Sequence, residues 1–277
     1  MFYKRIFFLL LLISFSLELF SQQRIVSLAP SITESLFELG VGDKIVGVTS
    51  YCQYPPTSKK KTVIGDLASV NIELIYSLKP DMIIALSDLN RPQYVTKLKS
   101  LGLKVIEFTE GNSYQELKNN FLNLAKLVGK ETIAKEKIKN FDSEVQAIYN
   151  KCKGLKKKSV FFEFGDQPLV TLGTNTFAND YLKFTSSYNI FSEMTTKYPK
   201  INREDVIKRD PDIILIITMG LATEREVNYW KQFKNMKAVK NNCIYVVDSD
   251  IVCRPTPMSF VKSLKEIIKI IHPEINK

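Results

Sequence analysis

The sequence predicts an α/β chain of two alternating halves with central parallel sheets, joined by one long helix. Three observations predict it. Short apolar runs alternate with helix-period segments, a stretch free of Gly and Pro interrupts them midway, and one motif recurs in both halves at a constant offset of 131 residues.

From Arg24 the order is strand Ile25 to Leu28, helix Ser31 to Leu39, strand Ile45 to Val48, helix Leu74 to Leu78, strand Met82 to Ala85, helix Tyr94 to Leu101 and strand Val105 to Phe108. Gly40, Gly42 and Gly102 are expected to stop the intervening helices. Lys130 to Cys152 places Ile133, Ile138, Phe141, Val145 and Ile148 at helical spacing and predicts one helix of roughly 30 Å. Strands resume at Ser159 to Phe164, Ile213 to Thr218 and Ile244 to Asp248. The expected organisation is a leader at 1–21, an N-terminal lobe at 22–129, the joining helix at 130–153 and a C-terminal lobe at 154–277.

The repeat reads N-x-E-x-[IV]-x4-P-D-x-I. Asn71, Glu73, Ile75, Pro80, Asp81 and Ile83 match Asn202, Glu204, Val206, Pro211, Asp212 and Ile214. Asn suits a helix N-cap, Pro-Asp ends the helix and opens a strand, and an acid in the first turn favours the helix dipole. The repeat makes Glu73 and Glu204 a matched pair of exposed carboxylates, suited to a symmetric, cationic partner.

Met1 to Ser21 has Lys4 and Arg5, then the apolar run Ile6 to Ile13, then a Ser-containing end, which is the pattern of a cleaved export signal. The first cysteine after it is Cys52, so a lipid-modified cysteine at the cleavage point is not expected. The chain carries 39 basic against 29 acidic residues, but no basic block exceeds three, so nucleic acid is not the expected partner. Lys59 to Lys61 and Lys156 to Lys158 read as solvated turns. A single histidine, His272, excludes Ser/His/Asp triads and multi-histidine zinc sites if it sits, as its position before Pro273 suggests, at a helix C-terminus. No P-loop, GxSxG or GxGxxG pattern occurs. These absences weigh against an exported α/β hydrolase, and no catalytic residue, metal or cofactor is expected. Cys52, Cys152, Cys243 and Cys253 allow three fully paired connectivities outside the cytoplasm. A disulfide between Cys52 and Cys253 is one pairing left open.

RIVSLAPSITESLFELGVGDKIVGVTSYCQYPP, followed by GDLASVNIELIYSLKPDMIIAL, resembles the substrate-binding proteins of cobalamin and iron-siderophore ABC importers, and in particular their cobalamin-binding members. The likeness runs from Arg24 to about Pro273. It implies two Rossmann-like lobes bridged by a single rigid helix, a ligand held between them, and only small closure on binding. It implies that Glu73 and Glu204 dock on arginines of the two permease subunits of an inner-membrane importer. It also implies that Tyr51, Phe164, Asp250 and Arg254 line the ligand site. Where the resemblance implies tryptophans, near Leu67 and Leu86, this chain supplies leucine as apolar lining, and its one tryptophan, Trp230, lies elsewhere. The expected protein is therefore a monomeric periplasmic carrier of a corrinoid, with haem or a ferric siderophore as the alternative cargo. Tyr54 is a further aromatic candidate, since flat amphipathic ligands need apolar walls and a few orienting polar groups.

Overall fold

The computed structural model describes residues 23–218 and 223–276, so the expected leader at 1–21 lies outside the described residues. The chain divides into two compact units between Phe108 and Thr109. In the first, the order is β1 (Ile25–Ser27), α1 (Pro30–Glu38), β2 (Ile45–Val48), β3 (Thr62–Val63), α2 (Ile72–Ser77), β4 (Met82–Leu86), α3 (Pro92–Ser100) and β5 (Val105–Phe108). The sheet order is β3-β2-β1-β4-β5, and every neighbouring pair is parallel. Parallel neighbours require a crossover, which the helices supply while covering the sheet faces. Val26 and Ile83 therefore share a core with Ile64, Ile75, Val95 and Leu98, while Ile25 and Ile84, next along the same strands, are buried too.

The second unit contains α4 (Tyr114–Leu127), α5 (Glu131–Cys152), β6 (Lys158–Glu163), β7 (Gly165–Asp166), β8 (Leu169–Val170), α6 (Asn179–Phe184) and β9 (Ser187–Asn189). It continues with α7 (Arg203–Arg209), β10 (Ile213–Thr218), α8 (Thr223–Lys231), α9 (Lys237–Lys240), β11 (Ile244–Asp248), α10 (Ser249–Val252) and α11 (Pro257–Ile271). Strands β11-β10-β6-β9 form a parallel sheet, and β7 and β8 a small antiparallel pair. Val160, Phe162, Ile213, Leu215 and Ile217 enter one core, and Phe161, Ile214 and Ile216 enter another. Burial on both faces is why these strands are unbroken apolar runs rather than alternating ones.

Helix α5 packs against α4, α6 and α11. Its buried positions are Ala134, Val145, Ile148 and Cys152, with Phe141 partly buried. Ile133, one of the apolar residues at helical spacing, is exposed and lies off the buried stripe. Ala134 lies on it, because the stripe through Phe141, Val145, Ile148 and Cys152 continues back to residue 134 at spacings of three, four and seven. His272 ends α11, as expected, and is fully buried. Its Nε2 lies 2.7 Å from the Thr185 carbonyl and its Nδ1 2.9 Å from Glu274 Oε1.

The repeat has a structural meaning that reaches beyond its helices. Asn71 Oδ1 accepts from Leu74 N at 2.8 Å, and Asn202 Oδ1 from Asp205 N at 2.8 Å, so both asparagines are N-caps. After each helix one residue, Lys79 or Asp210, adopts the left-handed conformation with φ of 47°. The Pro-Asp carboxylates then reach the start of the neighbouring strand. Asp81 Oδ2 accepts from Arg24 N at 2.6 Å beside β1, and Asp212 Oδ2 from Ser159 N and Oγ, both at 2.8 Å, in β6.

Two expectations are corrected. Gly40 and Gly102, with φ of +75° and +79°, do follow helix ends, but Gly42 stops no helix. It opens a 3-10 turn, and a Cβ there would overlap the Phe37 ring, so its smallness serves packing. The Cys52–Cys253 pairing left open by the sequence is not made: none of the four cysteines is in a disulfide. Burial pushes the Cys152 thiol up to about 11.

Asp212→Ala removes two acceptor contacts from buried Ser159 and is expected to cost about 1–3 kcal/mol in urea unfolding, more than Asp81→Ala beside the exposed Arg24. Unreduced denatured protein should take up one alkylating label per cysteine. In the native protein the half-buried Cys243 and Cys253 should react well before the buried Cys52 and Cys152, as peptide mass mapping would read.

Candidate functional site

In open α/β sheets, ligands bind outside the carboxyl ends of the strands where the strand order reverses. In the first unit that point lies between β1 and β4. The buried amide of Asn90 closes it: Nδ2 donates to the Leu28 carbonyl at 3.0 Å and Oδ1 accepts from Leu86 N at 2.8 Å. Beside it a buried polar cluster roots the loop after β2. Thr33 Oγ1 lies 2.8 Å from Ser27 Oγ and 3.1 Å from Cys52 Sγ, and Thr49 Oγ1 lies 3.2 Å from the same sulfur. Cys52 is held inside while its neighbour Tyr51 is 60% exposed, with Tyr54 also reaching solvent. A buried anchor next to an exposed ring presents an aromatic surface without leaving it floppy.

Leu67 is half-buried in the turn after β3, where Asp66 Oδ1 accepts from Ala68 N at 2.7 Å and Ser69 N at 2.6 Å. Leu86 ends β4 and is only 3% exposed, so it backs this surface rather than facing outward. Tyr51, Leu67 and Leu86 thus follow or end three parallel strands and share the carboxyl edge of one sheet.

The second unit repeats the arrangement. Its strand order reverses between β6 and β10. Phe164 directly follows β6, stacks on Phe162 at a centroid distance of 6.2 Å, and meets the edge of Tyr198 at 5.7 Å. Tyr198 is 43% exposed, and partial burial together with the nearby Glu110 carboxylate raises its phenol well above the usual range. Asp250 lies in α10, just past β11; its side chain is outside the described residues. Arg254 and Cys253 follow, both half-buried. Phe164, Asp250 and Arg254 therefore lie past the carboxyl ends of β6 and β11.

Tyr198 is a candidate residue that the sequence did not disclose. It lies in an irregular stretch between Ile190 and Ile201 with no period to assign it to an edge, and only its contact with Phe164 places it. Trp230, by contrast, is fully buried on α8, where its Nε1 donates to Glu163 Oε2 at 2.6 Å. Glu73 and Glu204 are exposed, each the second residue of its helix and each two residues after its capping asparagine. Among the described residues no cluster of three or more His, Cys, Asp or Glu could hold a metal ion, and no helix is long and apolar enough to cross a membrane.

Comparison with known proteins identifies the scaffold. Residues 25–251 match the family described as periplasmic binding protein. A vitamin B12-binding protein of Vibrio vulnificus is 27% identical over 253 residues, covering 91% of this chain and 92% of that protein. An uncharacterized ABC transporter substrate-binding lipoprotein of Bacillus subtilis is 32% identical over 261 residues, covering 92% and 82% respectively. Among solved structures, a possible iron-binding (periplasmic solute-binding) protein from Staphylococcus epidermidis superposes with a TM-score of 0.81 at 33% identity, covering 90% of this chain and 98% of that one. The family match over most of the chain, on two parallel-sheet units whose carboxyl edges carry the candidate residues, makes this protein a member of the periplasmic binding protein family.

Proposed function

We propose that the protein captures a corrinoid such as cobalamin and delivers it to an inner-membrane ABC importer, acting by binding and not by catalysis. The observation that carries this reading is the 27% identity, over 91% of the chain, with the vitamin B12-binding protein of Vibrio vulnificus. The side chains support it. Tyr51 and Tyr198 offer exposed aromatic faces, Phe164 braces the second of them, and half-buried Arg254, with Asp250 four residues earlier in sequence, is the polar pair assigned to orient the ligand. Leu67 adds apolar lining, and Leu86, buried at the end of β4, adds apolar support to the same sheet edge.

In this reading residues 1 to 21 direct export and are removed, the mature monomer works free in the periplasm without cofactor or metal, and Glu73 and Glu204 dock on cationic groups of the two permease subunits. The paired caps support the docking assignment, because they hold both carboxylates at equivalent helix positions. A second reading keeps the fold and changes the cargo to haem or a ferric siderophore. It is favoured by the 33% identity with the possible iron-binding protein of Staphylococcus epidermidis, and by the exposed tyrosines, a residue type that can ligate haem iron.

Calorimetric titration of the mature chain with cyanocobalamin, cobinamide, haem and a ferric siderophore separates the two. The expected result is tight one-to-one corrinoid binding, weakened about tenfold by Tyr51→Ala and by Tyr198→Ala. Heat from haem or the siderophore alone would move the protein to iron acquisition. Reversing both charges, Glu73→Arg with Glu204→Arg, should abolish importer-dependent uptake and leave ligand affinity unchanged; normal uptake by the double variant would remove the docking assignment.

A further inference from the structure

Beneath the carboxyl edge of the second unit lies a buried charged network that ligand capture does not require. Glu163, the last residue of β6, is 2% exposed, and Glu226 of α8 is 4% exposed. Trp230 Nε1 donates to Glu163 Oε2 at 2.6 Å, and Arg203 Nη2, from the first residue of α7, donates to Glu226 Oε2 at 2.6 Å. The Arg203 guanidinium also lies over the Tyr229 ring at 3.9 Å and near that of Trp230 at 5.4 Å. Among the described residues, Glu163 Oε1 and Arg203 Nη1 in this network are buried without a partner.

Charge and hydrogen bonding point to the same resolution. Arg203 and one ionised glutamate neutralise each other, so a second ionised glutamate would put an uncompensated charge in the interior. Among the described residues Glu163 Oε1 has no donor to accept from, and Glu226, one helical turn before Trp230 on α8, is the acid beside it. Glu163 Oε1 can bond there only by carrying a proton itself, leaving Glu226 to accept from Glu163 as well as from Arg203. Among the described residues, the other groups around the pair are Arg225, whose Nε is 3.5 Å from Glu226 Oε1 but whose side chain is largely exposed, the indole of Trp230, and from β10 the apolar Ile216 in register with Glu163.

We propose that Glu163 and Glu226 hold a single proton between them, making a pH-sensitive brace that ties the carboxyl end of β6 to α7 and α8. Burial and the bond with Glu226 push the Glu163 carboxyl up to about 8, against the opposing pull of Trp230 and Arg203. Although burial opposes it, the bonds from Glu163 and Arg203 hold Glu226 below its ordinary value. One partner up and the other down is the behaviour of an acid and carboxylate sharing a proton. The brace ends one residue before Phe164 and one before Glu204, yet it rests on the network alone and on no identity of cargo or partner.

The sign of its effect is fixed by proton uptake. A carboxyl raised on folding binds its proton more tightly in the native state, so its stabilisation is complete below about pH 4.5, the ordinary glutamate value, and is lost as pH rises through the native pKa. The test is a carboxyl-carbon NMR titration of the mature chain, with thermal unfolding from about pH 5 to about pH 9 for wild type and Glu163→Gln, whose neutral amide keeps a donor toward Glu226 and an acceptor for Trp230. One glutamate resonance, absent from Glu163→Gln, should titrate far above the rest, and the wild-type midpoint should fall by roughly 5 °C or more relative to the variant at high pH. Titration of Glu163 together with the exposed glutamates, or parallel pH profiles of the two proteins, would overturn the proposal. If Glu163→Gln fails to fold, the wild-type titration decides, with Glu226→Gln, expected to release the shared proton at a different pH, giving the assignment.

Discussion

Parallel strand pairing is the constraint from which the remaining features descend. It forbids a tight hairpin between neighbours, so each strand must return through a helix, and the helices bury the sheet faces. That burial removes polar residues from the strands and concentrates them where the strands end. All carboxyl ends then fall on one edge of each sheet, and the turns leaving that edge are the places where side chains can face a ligand without disturbing the core. Tyr51, Leu67, Phe164 and Arg254 occupy such turns.

The Pro-Asp carboxylates show how a crossover is locked at its other end. Asp81 and Asp212 open β4 and β10, yet their hydrogen bonds go sideways, to the backbone beginning β1 and β6. Each thereby pins the amino ends of two adjacent strands, directly opposite the edge where the strand order reverses. The strand-pinning carboxylates and the candidate turns lie at opposite edges of each sheet, so those turns can vary without loosening the pairing.

The two units share this frame and differ in what supports it. Position 72 of the first repeat is Ile, partly buried against an apolar core. The equivalent position 203 is Arg, stacked on Tyr229 and bonded to Glu226. An apolar brace in one unit and an ionic one in the other present the same exposed glutamate at the next residue. The ionic brace brings a titratable group into the interior, which an apolar brace cannot do.

The two-half α/β fold, the long helix and most strand limits were legible because burial on both faces writes itself as unbroken apolar runs, and helix caps are local. The repeat likewise disclosed Asn71, Glu73, Asn202 and Glu204, since a cap and its first turn span only a few residues. Local pattern misassigned Gly42 and did not separate exposed Ile133 from the buried stripe, because both environments are set by which neighbour approaches. It could not reveal Tyr198, because nothing within a few residues fixes its direction. Nor could it reveal that Trp230 serves Glu163 across 67 residues. Sequence by itself determined the periodic parts of this protein, where each residue's burial follows from its position in a helix or strand. Only the tertiary structure decided which aromatic rings stay exposed and which carboxyls are buried together, because those depend on contacts between segments that no local period connects.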